Sequence, residues 1–216
     1  MLLRWNALPL NDIRVPGPER REPQIWIWLL TAVWLGAAVF GLRVVWAYDN
    51  APGVIARAPK QWPAQSALAS ARDRSTLVVF AHPQCPCTRA SIGELAEVLA
   101  RTERQPRTYV VFLKPTEVAD GWEKTALWQT AAGLPGVTVL RDDGGREARA
   151  FGVETSGQTL LYDSRGALIY NGGITRSRGH AGDNDGRAAL IALIGRAPTD
   201  RSGANVFGCP LFASGS

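Results

Sequence analysis

Leu77-Val78-Val79-Phe80-Ala81-His82-Pro83-Gln84-Cys85-Pro86-Cys87-Thr88-Arg89-Ala90-Ser91-Ile92-Gly93-Glu94-Leu95 is the stretch that decides how this chain is read. It opens on an apolar run without period-2 polarity, as expected of a strand covered on both faces. It closes on a helical stripe, because Ile92, Leu95, Ala96 and Leu99 recur at i, i+3, i+4 and i+7. Two cysteines fall at the junction. Free backbone N–H groups at a helix N-terminus, together with the helix dipole, stabilise a thiolate, so a cysteine there is expected to titrate below the ordinary ~8.5. The plainer alternative is two small buried apolar side chains beside a turn.

Downstream, Tyr109–Leu113 is a second covered strand, which makes 77–113 a β-α-β unit. A helical stretch over Trp122–Ala132 and a strand over Val137–Leu140 follow. Trp122 and Trp128, six residues apart, share no helical stripe and suit core or rim packing. Thr159–Tyr162 and Leu168–Tyr170 flank Asp163-Ser164-Arg165-Gly166, a hairpin turn in which Asp favours the first position and Gly tolerates positive φ. A last helix over Arg187–Ile194 is preceded by Asp183 and Asp185, either of which can cap it. The order β-α-β-α-β-β-α predicts an α/β fold of three layers, α/β/α, around a mixed sheet, with one domain over 64–216.

Upstream, Ile25–Leu42 runs eighteen residues without a charge and continues past Arg43 as Val44-Val45-Trp46-Ala47-Tyr48. A bilayer core takes about 20 such residues, and Trp26, Trp28 and Trp46 lie where indole rings favour the headgroup zone. This predicts one transmembrane anchor over 25–47 rather than a cleaved signal peptide, whose apolar region is shorter and ends on small residues. Arg4, Arg14, Arg20 and Arg21 precede the span, so residues 1–24 are expected in the cytoplasm and the domain outside, in the periplasm of a Gram-negative cell. Pro52, Gly53, Pro59 and Pro63 make 48–63 read as a linker.

Composition narrows the chemistry. The net charge of +5 comes from 21 Arg and 3 Lys against 19 acids, scattered without a run of like charge, which speaks against a nucleic-acid partner. A mean hydropathy of −0.06 excludes several membrane spans. With three Cys and two His in the chain, thiol or imidazole chemistry falls to Cys85, Cys87, Cys209, His82 and His180. His82 either touches the thiols or bonds a backbone carbonyl.

The strand, turn and helix quoted above resemble those of the thioredoxin-like superfamily, and more particularly its membrane-anchored extracytoplasmic members of the TlpA/ResA kind, over roughly residues 75–196. HPQCPCTRAS, with SGQTLLYDSRG and GGITRSRGHAGDN, is also similar to anchored bacterial proteins labelled RedB-type. These relatives carry their nucleophilic cysteine five residues after a strand aromatic, the spacing of Phe80 and Cys85, so the resemblance implies that Cys85 attacks. Two departures matter. Only Pro86 separates the cysteines, where the usual motif has two residues, and positions i and i+2 of a helix project about 200° apart. Gly157 stands where the relatives place a cis-proline facing the site, and without a side chain it allows close approach of another chain.

Two further segments can reach the turn. Gly172–Gly186 is a fifteen-residue glycine-rich loop able to bring Arg176, Arg178 or His180 to a thiolate or an anionic substrate. The tail Val206-Phe207-Gly208-Cys209-Pro210-Leu211-Phe212 is apolar enough to pack on the domain. Folded over the turn, it makes Cys209 the resolving partner; packed elsewhere, it leaves Cys209 inert. The resemblance implies a membrane-anchored thiol–disulfide oxidoreductase of the inner membrane, needing no cofactor and acting on periplasmic protein thiols and disulfides. The alternative is a Sco-like copper chaperone using Cys85, Cys87 and His180, although Sco motifs space their cysteines by three residues.

Overall fold

The computed structural model describes residues 25–212; residues 1–24, on which the cytoplasmic segment and its arginines fall, lie outside the described residues. The chain divides into two compact units near Val44/Val45. The first is dominated by helix α1, Ile25–Asp49, apolar on every face and with no buried residue. At 1.5 Å per residue, 25 residues reach about 37 Å, enough to cross a bilayer core of about 30 Å. By length and composition α1 qualifies as one membrane span, a test that a signal sequence near the N-terminus also passes.

The second unit is built on a five-stranded sheet. Its strands are β1 (Thr76–Ala81), β2 (Arg107–Lys114), β3 (Val137–Asp143), β4 (Thr159–Tyr162) and β5 (Leu168–Gly172), in the order β3-β2-β1-β4-β5. β1, β2 and β3 run parallel, whereas β4 is antiparallel to β1 and β5 to β4. The β4–β5 turn forms as its sequence demands: the Asp163 carboxylate accepts from the Arg165 and Ala167 N–H groups, and Gly166 takes φ +78. β1 lies at the centre of the sheet and is buried along its whole length. Successive residues serve opposite faces, as a pleated strand requires. Leu77, Val79 and Ala81 join Ile92, Leu95 and Val98 of α2 (Pro86–Arg101) and Leu190 and Ile194 of α5 (Asp185–Gly195). Val78 and Phe80 face Phe151, Leu160 and Leu211 in a second core. This mixed α/β/α arrangement, a β-α-β unit closed by an antiparallel hairpin, is a thioredoxin-like fold.

Four local expectations are corrected. The helical stretch read over Trp122–Ala132 shortens to α3, Ala126–Ala132, because residues 119–125 form turns held to the β1–α2 turn by Thr125 Oγ1, which donates to the Pro83 carbonyl oxygen at 3.1 Å. A helix missed in the sequence, α4 (Arg146–Ala150), follows β3; five residues hold too little periodicity to be seen, and the Asp142 carboxylate binds the N–H groups of Glu147 and Ala148. The α5 cap is Asn184, whose side chain accepts from Arg187 N–H. Asp183 pairs instead with the Arg187 guanidinium, and Asp185 with Arg201. Finally, much of the 48–63 stretch is laid along the domain. Gly53 N–H donates to the Val206 carbonyl oxygen, Leu168 N–H to that of Lys60, and the Trp62 ring meets Phe151 and Tyr162 edge-on at 5.0 and 5.1 Å.

One buried ion pair ties the helical layer together. Glu94 of α2, 2% exposed, receives Arg187 Nη1 of α5 at 2.7 Å and also accepts Gly182 N–H from the loop before α5. Removing one partner of such a pair leaves an uncompensated buried charge, at a cost of about 3–5 kcal/mol, whereas replacing both with apolar groups is far milder. Glu94→Ala is therefore expected to lose about 3–5 kcal/mol of unfolding free energy in a urea titration, and Glu94→Leu with Arg187→Leu markedly less.

Candidate active site

Cys85 is the N-cap residue of α2, with extended φ −83 and ψ 119, and Pro86 opens the helix. Proline suits that position, since its missing N–H would have no intrahelical acceptor and its φ is already helical. The turn is fixed by Cys85 N–H donating to His82 O at 3.1 Å and by Thr88 N–H donating to Cys85 O at 3.0 Å. A second layer of bonds comes from Ser156, in the loop before β4. Its hydroxyl accepts His82 N–H at 2.9 Å and lies 2.9 Å from Thr88 Oγ1, which itself bonds His82 O. Gly157 N–H donates to Phe80 O at 2.7 Å, so strand, turn and loop are locked together.

The tail completes the site. Asn171 and Gly173 donate their N–H groups to Ser202 and Ala204 carbonyl oxygens, which lays the tail beside β5. It then crosses to the 154–156 loop, where Ser156 N–H donates to Cys209 O at 2.9 Å and Leu211 N–H to Glu154 O at 2.7 Å. A Cβ at Gly208 would overlap the Ser156 carbonyl oxygen, so glycine is what admits the tail this close. The crossing brings Cys209 Sγ to 3.0 Å from Cys85 Sγ. Of the two open readings of the tail, packing over the turn is the one observed.

The three thiols are electrostatically unequal. Burial of Cys85 opposes its thiolate, but hydrogen bonds from the Cys209 thiol and from the backbone N–H groups of Cys209, Thr88 and Cys87 outweigh it, and its pKa falls below the ordinary cysteine value. Cys87 is raised by burial and by the neighbouring charge on Cys85. Burial and donation to Cys85 push Cys209 up to about 12. Of the three thiols, Cys85 is therefore the one that gives up its proton most readily, and Cys87 and Cys209 hold theirs longer.

The long loop reaches the thiols through two of its residues. Arg178 Nη1 donates to Gly208 O at 2.7 Å, its charge acts on Cys87 and Cys209, and Gly179 N–H bonds the Cys87 sulfur. Arg176 is exposed and lines an open polar hollow with Asp183 and Arg201. His180 is exposed too, its Nδ1 2.7 Å from the Arg178 carbonyl oxygen. His82 accepts Gln84 N–H on Nδ1 at 3.2 Å and meets the Trp122 ring edge-on; burial lowers its pKa. Gly157 takes φ +87, and a Cβ there would sit 2.8 Å from Ser91 Oγ. Nothing in this geometry favours the copper set of Cys85, Cys87 and His180, and among the described residues no group of three or more His, Cys, Asp or Glu side chains is placed to hold a metal ion.

No family model matches the chain, and neither does any curated protein. Solved structures do. An uncharacterized conserved protein from Geobacillus kaustophilus is similar at 17% identity and TM-score 0.54, over 76% of this chain and 94% of that one. A hypothetical protein from Sinorhizobium meliloti 1021 is similar at 19% identity and TM-score 0.53, over 74% and 97%. The exposed lipoprotein thioredoxin of Streptococcus pneumoniae strain TIGR4 aligns at 15% identity and TM-score 0.43, over 58% and 86%. At such identities what is shared is the fold.

Ser156 and Gly208 are the site residues that sequence reading missed. Ser156-Gly157 gave a weak signal, a small polar residue beside a glycine ahead of a strand, while Gly208 gave one only through its neighbour Cys209. Because the Cys85 pKa is lowered and the other two are raised, thiolate absorbance near 240 nm is expected to titrate in separate steps. The lowest step should vanish in Cys85→Ser and move upward in Cys209→Ala, which removes a donor to the Cys85 sulfur.

Proposed function

We propose that this protein is a membrane-anchored, extracytoplasmic thiol–disulfide oxidoreductase of the TlpA/ResA kind, working through its Cys-Pro-Cys turn with Cys85 as nucleophile and Cys209 as resolving thiol. The observation that carries the reading is the 3.0 Å approach of Cys209 Sγ to Cys85 Sγ at the N-terminus of α2, with Cys85 the one of the three thiols whose pKa is lowered. The Cys85 thiolate attacks a disulfide of an extracytoplasmic protein, forming a mixed disulfide and releasing one substrate thiolate. Cys209, as its thiolate, then attacks the Cys85 sulfur; a Cys85–Cys209 bond forms and the second substrate thiolate leaves. Two electrons pass from the dithiol to the substrate, and the reverse sequence oxidises a substrate dithiol. No cofactor enters either direction. Cys85 is 1% exposed, so a protein disulfide reaches it only as the tail around Gly208 and Cys209 gives way.

The full chain in detergent micelles, oxidised and mapped by mass spectrometry without reduction, is expected to show a Cys85–Cys209 crosslink. Insulin reduction driven by dithiothreitol should be abolished by Cys85→Ser, and Cys209→Ser should accumulate the mixed disulfide. A Cys87–Cys209 crosslink, or turnover that survives Cys85→Ser, overturns the assignment. For the topology, a C-terminal alkaline phosphatase fusion is expected to be active, since that enzyme matures only where disulfides form.

A further inference from the structure

Arg178 stands beside the thiol cluster with a donor it does not use. Its side chain is half-buried, and its Nη1 donates to the carbonyl oxygen of Gly208, the residue before Cys209. Its Nε is buried and has no hydrogen-bond partner among the described residues. The adjacent Gly179 gives its N–H to Cys87. The groups facing Cys209 are Cys85, Cys87 and Arg178, and the guanidinium itself also lies 5.0 Å from the centroid of the Tyr48 ring.

This arrangement has a different meaning before and after Cys85 reacts. Before the reaction a charge on Cys85 raises the pKa of Cys209, and the Cys209 thiol, 3.0 Å away, in turn supports a Cys85 thiolate. When Cys85 enters a mixed disulfide its charge is gone, and the thiol that must act next is half-buried and still carries its proton. The cation that favours a thiolate on Cys209 is Arg178, held in place by its bond to the neighbouring carbonyl.

We propose that Arg178 is the positioning residue that converts Cys209 from hydrogen-bond donor into resolving nucleophile, its positive charge acting on Cys209 unopposed by Cys85 once that thiolate is consumed. This rests on the Cys85–Cys209 couple proposed above. The Cys209 proton passes to solvent, the Cys209 thiolate attacks Cys85 Sγ, the Cys85–substrate S–S bond breaks, and the substrate sulfur leaves as a thiolate. Arg178 is bonded to the tail at the Gly208 carbonyl oxygen rather than to the turn that carries Cys85, and the largest influences on Cys85 are burial and its own hydrogen bonds, so the first attack should depend on Arg178 less than the second.

The test is a stopped-flow reaction of the full reduced chain in detergent micelles with one equivalent of the aromatic disulfide dithiobis(nitrobenzoate). Attack by Cys85 releases the first nitrothiophenolate and resolution releases the second, so the two steps appear as separate absorbance phases. Arg178→Gln is expected to slow the second phase about tenfold at neutral pH, the effect of one pKa unit on the thiolate fraction, and to shift that phase's pH midpoint upward. Arg178→Lys should restore most of the rate. A second phase unchanged in Arg178→Gln overturns the proposal, and so do two phases slowed by the same factor, which is the mark of a merely structural role. Cys209→Ser separates the two readings. If it still releases a second equivalent at the native rate, the Cys85–Cys209 couple fails and the role of Arg178 with it. If that equivalent is lost while Arg178→Gln behaves as the native chain, Arg178 alone is refuted.

Discussion

Ser156 is where the parts of this domain meet. It is 1% exposed, its hydroxyl accepts the His82 N–H and adjoins Thr88 Oγ1, its own N–H donates to Cys209 O, and the next residue bonds the end of β1. A buried polar group left without its partner costs about 1–3 kcal/mol. Undocking the tail therefore strands a donor in the same loop that steadies the thiol turn. Turn, loop and tail behave as one polar unit, and the geometry around Cys85 depends on the last described residues of the chain as much as on the helix that Cys85 caps.

That unit makes three chemically identical side chains unequal. Position decides which thiol receives donors: Cys85, outside the helix, accepts two N–H groups from the first turn of α2, one from the tail, and the Cys209 thiol. Cys87, two residues on, has Gly179 N–H and is burdened by its neighbour's charge. The site's polarity rests on counting donors. Only Pro86 separates the two cysteines of the turn, and the tail brings in a partner 124 residues away.

The strands, the β-α-β unit and the β4–β5 turn were legible because each rests on local chemistry: continuous apolar runs, a helical stripe, and an Asp and a Gly at fixed turn positions. Cys85 was legible for the same reason, since a strand-to-helix junction is visible in sequence. The position of Cys209 was not. It depends on backbone hydrogen bonds between segments more than fifty residues apart, such as Ser156 with Cys209 and Gly53 with Val206, and backbone donors leave no trace in residue identity. Likewise the long loop was expected to act through one of three cationic or imidazole side chains, and packing around Gly208 and the thiols selected Arg178. The 48–63 stretch misled because its prolines, which suit a free linker, suit equally a chain that runs along an edge without regular structure.

A bond between Cys85 and Cys209 would also change the topology of the chain. It would close a ring containing strands β2 to β5 and helices α2 to α5, leaving outside it β1, the segment that leads into β1 and the few residues beyond the tail. Closing a ring of this size removes on the order of 4–5 kcal/mol of chain entropy from the unfolded state. The oxidised form would thus resist unfolding, and any protease that acts on unfolded chains, more than the reduced form does. In such a molecule the two electrons carried by the thiols also set its lifetime.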